Sequence, residues 1–223
     1  MHRNRIATAA CTLALIASVP LLAAQSEPAA PSQAPGAAEV SRISGGTYQA
    51  DPQHTLVEWS VDHMGFSPYF GLFGSIDGTL QLDPSNPEAA KVDVTIPVAK
   101  VTTASEGLNE HLLKPAEGSG KPDFFGANPQ DAKFVSTKVE KTGDDTAQIT
   151  GDLTLNGFTR PVTLDTHFYG AGTMRGQENV GFEATASIMR SDFGLGFAVP
   201  LVSDTVELKI AAAFTKSETN AQK

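Results

Sequence analysis

The chain has 223 residues, 18% of them charged, and a formal net charge of −9. That length suits one folded domain with extensions, and the acidity argues against nucleic acid or an anionic membrane face as a partner. The single cysteine, Cys11, lies near the start of the chain, so no disulfide, thiol nucleophile or cysteine metal site is expected in the folded part.

Residues 1–24 read as a signal peptide. Arg3 and Arg5 form a basic start, residues 6–19 are mostly apolar, and Pro20 with Ala23 and Ala24 supplies a break and small residues for cleavage. The apolar run is too short to make a good membrane span. Cys11 sits near its beginning, where a lipid-bearing cysteine does not belong. Cleavage after Ala24 leaves 14 basic against 25 acidic residues, a net charge of about −11. Residues 25–46 are rich in Ala, Pro, Ser and Gly and read as a flexible linker. The folded domain is expected over 47–216, with a disordered tail over 217–223.

Alternation with period two dominates the domain. Val57, Trp59, Val61 and His63 share one face of a first strand. Leu72, Gly74, Ile76, Gly78, Leu80 and Leu82 share one face of a second, and Val92, Val94, Ile96 and Val98 follow. Later runs carry Ile149, Leu153 and Leu155, then Val162, Leu164 and Phe168, then Val180, Phe182, Ala184 and Ile188, and last Val206, Leu208, Ile210, Ala212 and Phe214. Asn156-Gly157 marks a tight hairpin, and residues 170–179 read as a long polar hairpin loop. Helical spacing interrupts the rhythm over 105–113, with Leu108 and Leu112 four apart, and a second helical turn is expected over 191–195. About eight antiparallel strands with one apolar face pair as two sheets or close on themselves, and closure removes exposed edges. The expected fold is all-β, an eight-stranded antiparallel barrel with a short helical insertion. Gly74, Gly78, Gly151, Ala184 and Ala186 lie on its apolar face. Either they leave volume for an apolar ligand, or neighbouring aromatic rings fill it.

No catalytic constellation stands out. His54, His63, His111 and His167 show no metal-ligand spacing. Residues 118–121 imitate the end of a phosphate loop, but the earlier glycine is missing and Pro122 replaces the magnesium-binding hydroxyl. His63 is in phase with Trp59 and points inward, either as a head-group ligand or as a satisfied core histidine. His111 follows Glu110 on the helix and folds over the barrel mouth. Arg190 either caps the second helical turn or binds a head group. Phe66, Tyr69, Phe70, Phe73, Phe124, Phe125, Phe193 and Phe197 cluster in loops that line or close an interior.

At these residues the sequence resembles the YceI-like, polyisoprenoid-binding family over residues 48–214. The resemblance is carried by Asp51-Pro52-x-His54, His63-Met64-Gly65, Glu110-His111-Leu112, Asp123-Phe124-Phe125 and the run from Gly151 to Val162. Arg190-Ser191-Asp192-Phe193-Gly194 completes it. It implies an extended lipocalin-like barrel, located in the periplasm, whose interior holds a long isoprenoid. Two departures stand out. Leu108 and Asn109 replace a charged pair before Glu110, and residues 116–121 form an extra loop.

The function expected is binding and sequestration or transport of an isoprenoid or similar amphipathic lipid, with no cofactor, no metal and no catalysis. The expected ligand-binding residues are Trp59, Val61, His63, Phe73, Leu108, His111, Leu112, Phe124, Phe125, Leu153, Leu155, Phe182, Ile188, Arg190 and Phe193. His63, His111 and Arg190 are the head-group candidates. The partners expected are the lipid, transient membrane or membrane redox contacts, and a second copy in a homodimer. The alternatives are a hydrolase or isomerase using His63 with Asp192, and a ligand-free stress or interaction scaffold. The two side chains within hydrogen-bond reach in a cleft would favour the enzyme; a filled interior would favour the scaffold.

Overall fold

The computed structural model describes residues 33–118 and 120–217. The expected signal peptide, the first part of the expected linker and all but Ser217 of the expected tail lie outside these residues. Ten strand segments follow in order: β1 (Gly46–Ala50), β2 (Leu56–His63), β3 (Ser67–Phe73), β4 (Asp77–Leu82), β5 (Lys91–Ile96), β6 (Ala132–Lys141), β7 (Thr146–Leu155), β8 (Phe158–Met174), β9 (Gln177–Met189) and β10 (Thr205–Lys216). The one α-helix described, α1 (Glu106–Leu112), stands between β5 and β6.

The pairing order β1-β4-β5-β6-β7-β8-β9-β10 closes through β1 against β10, giving an eight-stranded antiparallel barrel. The β2–β3 hairpin extends two of its staves. β1 and β2 share one edge of β10, so they are one long strand broken at 51–55. At that break the Thr55 hydroxyl donates to the Ala213 carbonyl (2.9 Å) and accepts from its amide (3.1 Å). A side chain thus joins the Asp51 amide, which also donates to the Ala213 carbonyl (2.8 Å), in bridging the break. β3 and β4 are a second long strand, broken at 74–76. The break moves the alternation by one residue. Phe73 therefore faces the interior while Leu72 is 39% exposed, the reverse of a continuous strand.

Turn chemistry explains the hairpins. Asn156 (φ 51°) and Gly157 (φ 80°) form the two-residue β7–β8 turn. Arg175 (φ 54°) and Gly176 (φ 83°) do the same for β8–β9. The long loop expected over 170–179 is therefore replaced by strand, which runs to Met174 and resumes at Gln177. Its glycines serve a different purpose. A Cβ at Gly172 would lie 2.1 Å from the Pro35 carbonyl oxygen, so the position admits a second backbone at close range. Helix α1 starts where expected, with the Ser105 hydroxyl accepting from the Leu108 amide (3.3 Å). Asn109, at one of the departing positions, ties the helix to its approach, accepting from the Thr103 amide at 2.7 Å.

The backbone that reaches Gly172 is the second half of the expected linker. Residues 34–45 form a strap over the end of the barrel where β7 begins. Ala37 and Ala171 exchange two backbone hydrogen bonds (3.0 and 2.8 Å), Ile43 is 7% exposed, and a 3-10 turn spans Val40–Arg42. These residues are docked, in place of a free linker, because Val40 and Ile43 bring apolar surface that composition averaged away. A carboxylate anchors the strap. Glu178 accepts from the Ser44 amide (3.0 Å), the Ser44 hydroxyl (2.7 Å), the Tyr48 hydroxyl (2.9 Å) and Lys216 Nζ (3.3 Å). Burial alone would raise its pKa, but these donors outweigh it and hold the carboxyl at about 2. A depressed carboxylate contributes stability above its unfolded value of 4.5, and that contribution is lost as pH falls from there towards 2. Glu178→Gln is expected to cost about 1–3 kcal/mol at pH 7. The difference from wild type should shrink when denaturant melts are repeated near pH 3. A difference unchanged between the two pH values would show that Glu178 does not anchor the strap as an ion.

Candidate functional site

The barrel interior holds a cavity of about 510 Å³, within the size range of small-molecule sites. Two buried clusters flank it. Phe134, Leu153, Val162, Phe193 and Leu195 lie towards the β7–β8 turn, and Ile43, Tyr48, Leu80, Phe168, Val180 and Phe214 towards the strap. Phe168, Phe182 and Phe214 meet edge to face at 5.9 and 6.4 Å. Inward-pointing Val94, Ile149, Leu164, Ala184, Ile210 and Ala212 complete much of the wall. The small residues on this face act in two ways. Gly151 leaves no void, because a Cβ there would strike the Phe134 ring at 2.4 Å, and at Gly78 it would strike the Asp93 carbonyl oxygen at 2.2 Å. The alanines Ala90, Ala132, Ala147, Ala184 and Ala212 are the ones that border empty space.

The two ends of the cavity differ. Towards α1 it ends on Phe73, Ile96, Val98, Ala132, Leu155, Ile188 and Leu208, none of them exposed. Val101 (4% exposed) and Leu112 (5%) close this end behind Val98. Towards the β6–β7 turn the wall includes exposed Val40, Lys141, Asp144 and Asp145, together with Pro84 and Pro87. The cavity therefore meets solvent between the strap and the β6–β7 turn.

Five of the residues expected to bind ligand lie on this wall: Phe73, Leu153, Leu155, Phe182 and Ile188. Phe125 packs edge to face on Phe73 (6.1 Å) and Phe193 is buried behind Leu153. Trp59 and Val61 stand on β2 beyond the cavity's closed end. The Trp59 indole lies flat on its cross-strand partner Gly71, where a Cβ would sit 2.1 Å from the ring. Its Nε1 is buried without a partner. Leu112 is among the residues that close that end, and Leu108 stands half-buried on α1.

The three head-group candidates lie away from the cavity wall. His63 is exposed at the end of β2, bridged to Val202. His111 bonds Asp123 (2.9 Å) and packs against Phe124 and Phe197 at 5.2 and 5.7 Å, pinning the α1 loop to the 194–201 loop. Arg190 is 6% exposed. Its guanidinium donates to the carbonyls of Ser203 (2.8 Å), Phe197 (2.8 Å), Val202 (2.9 Å) and Leu195. Burial lowers its pKa and Asp204 partly restores it. The residue clamps a loop, and its donors are committed to backbone. The reason is topological: the insertion and the 190–204 loop roof the end where these side chains sit, so the open rim falls at the other end. No hydrogen bond joins His63 to Asp192 among the described residues, and none of their groups of His, Cys, Asp or Glu is arranged to hold a metal ion.

Sequence reasoning missed the rim, namely Val40, Ile43, Lys141, Asp144, Asp145 and Thr146. One signal was available. Val40 and Ile43 are the only large aliphatic residues in 25–46.

Comparison with known proteins agrees with this architecture. Residues 48–214 match the YceI-like domain. A UPF0312 protein of Pseudomonas putida strain F1 is 36% identical over 168 residues, covering 74% of this chain and 83% of the relative. One from Ectopseudomonas mendocina is 39% identical over 158 residues, covering 70% and 79%. Among solved structures, a Campylobacter jejuni YceI protein superposes with TM-score 0.61 at 30% identity, over 70% of this chain and 90% of its own. Burkholderia cenocepacia BcnA gives TM-score 0.61 at 25% identity, over 74% and 98%. A Saccharophagus degradans domain described as polyisoprenoid binding shares the fold at TM-score 0.55 and 14% identity, over 76% of this chain and 98% of its own. A closed antiparallel barrel with an apolar interior, matched over nearly all of its folded residues, places this chain in the YceI-like family.

Proposed function

We propose that the protein is exported to the periplasm, binds the long apolar chain of an isoprenoid or similar amphipathic lipid inside its barrel, and sequesters or carries it. The observation that carries this reading is the cavity itself. It holds about 510 Å³ of space bounded mainly by aliphatic and aromatic side chains, with its charged groups confined to one rim. An empty apolar void of that size forfeits packing, and an oily ligand restores it. Each buried methylene contributes about 0.8 kcal/mol, so ten of them leave several kcal/mol after the cost of association. Tail recognition of this kind needs no directed polar contact, in keeping with a wall that offers almost none. Family membership and the polyisoprenoid-binding description of a protein with the same fold point the same way.

Native mass spectrometry tests the reading. Purified protein is expected to show a lipid adduct that organic extraction removes and added geranylgeraniol replaces. Protein that shows neither an adduct nor uptake of geranylgeraniol would remove the basis for a carrier.

A further inference from the structure

We infer that the open rim selects lipids with uncharged head groups and turns away those ending in a phosphate or carboxylate. This rests on the carrier reading above and specifies the class of lipid.

The polarity of the cavity fixes how an amphipathic lipid lies in it. The end towards α1 is closed by Phe73, Val98, Ala132, Leu155 and Leu208 and offers nothing to solvate a head group. Burying an unpartnered charge there is prohibitive, so the tail goes in first and the head remains at the rim. The rim is built by the β6–β7 turn and the segment before β5. Asp144 and Asp145 line the cavity beside Thr146. Glu88 accepts from the Lys141 amide (3.2 Å), which brings a third carboxylate to the same place. One ammonium faces them, that of Lys141.

The neighbouring cations do not correct the balance. On the strap, Arg42 is paired to Glu39 (2.9 Å), and Lys216 is engaged with Glu178 (3.3 Å). His167 lies 3.1 Å from Asp145 and at most offsets that one carboxylate, leaving Asp144 and Glu88 against Lys141. An anionic head would be held at the rim within a few ångströms of a surplus of carboxylates, close enough for like-charge repulsion to persist at low salt. An alcohol or quinone head finds hydrogen-bonding groups there without that repulsion.

The test compares two probes with one tail, geranylgeraniol and geranylgeranyl monophosphate, so the tail's contribution cancels. Protein freed of bound lipid is titrated with each at low salt, and binding is read by native mass spectrometry and by displacement of the co-purified lipid. The alcohol is expected to bind about tenfold more tightly than the phosphate. In 0.5 M NaCl the ratio should fall to about threefold or less. Asp144→Lys should bring the two probes to parity, and a Tm equal to that of wild type stripped of lipid shows that the barrel is intact. Equal binding of both probes by wild type, or tighter binding of the phosphate that Lys141→Met abolishes, overturns the head-group rule and leaves the carrier reading standing. Failure of both probes to bind wild type overturns the carrier reading and this inference with it.

Discussion

Ala184→Phe is expected to exclude lipid from the barrel while leaving it folded. Ala184 sits midway along β9, between Thr166 of β8 and Ile210 of β10, and its methyl group faces the cavity. In a filled core, a ring placed there would force neighbours off their rotamers and cost about 1–3 kcal/mol. Here the ring projects into unoccupied volume and gains the contacts that the alanine lacks. Lipid recovered with the variant should fall at least tenfold, a loss of roughly 1.4 kcal/mol or more of binding free energy. The Tm of the variant should equal or exceed that of wild type stripped of lipid. Undiminished lipid in the variant would place the ligand elsewhere. A Tm well below that of stripped wild type would mean that the interior is already packed.

Arg190→Met is expected to have the largest effect on stability of any single change considered. The guanidinium gathers carbonyls from Leu195, Phe197, Val202 and Ser203 into one buried point. Hydrogen bonds from a charged donor contribute more than neutral ones, and each buried carbonyl left without a partner adds its own desolvation penalty. The loss should be about 3–5 kcal/mol, which lowers Tm by roughly 6–15 °C in a domain of this size. Lysine should rescue little, because one ammonium cannot span four carbonyls arranged for a planar fork. Thermal melts of both variants check this. A Tm within about two or three degrees of wild type, the effect of about 1 kcal/mol, would mean that the loop holds its shape without the clamp.

Much of the fold was legible because its signals are local. The alternation of Val92, Val94 and Ile96, the φ > 0 pair Asn156-Gly157 and the helical spacing of Leu108 and Leu112 each act within a few residues, and each reappears in the structure. The misreadings share a cause, which is contact between segments distant in sequence. Gly170 and Gly172 read as loop, yet they sit in a strand and make room for a strap more than 130 residues earlier. The strap read as linker because two aliphatic residues among many small ones carry little weight until a partner surface is known. Leu72 turned outward, against its expected face, because the chain breaks at Ser75, whose φ of 56° carries no strong sequence mark.

The site was legible to the same extent. Wall residues such as Phe182 and Leu153 follow from strand phase alone. The closed end and the open rim do not, because α1 and the 190–204 loop roof the barrel through contacts that periodicity cannot encode. His63, His111 and Arg190 were conspicuous as rare polar groups in apolar surroundings. That description suits a loop clamp as well as a ligand contact, and only the bonding partners of Arg190 separate the two.

The strap has a practical consequence. It reaches the barrel beside the rim, and β10 finishes at the same end, where the Ser217 amide donates to the Thr47 carbonyl (2.9 Å). Both routes off the barrel thus begin next to the doorway. An affinity tag or fluorescent fusion joined directly after Ser217 will crowd it, whereas one spliced into the Asn156-Gly157 turn will hang from the far side and leave traffic through the opening undisturbed.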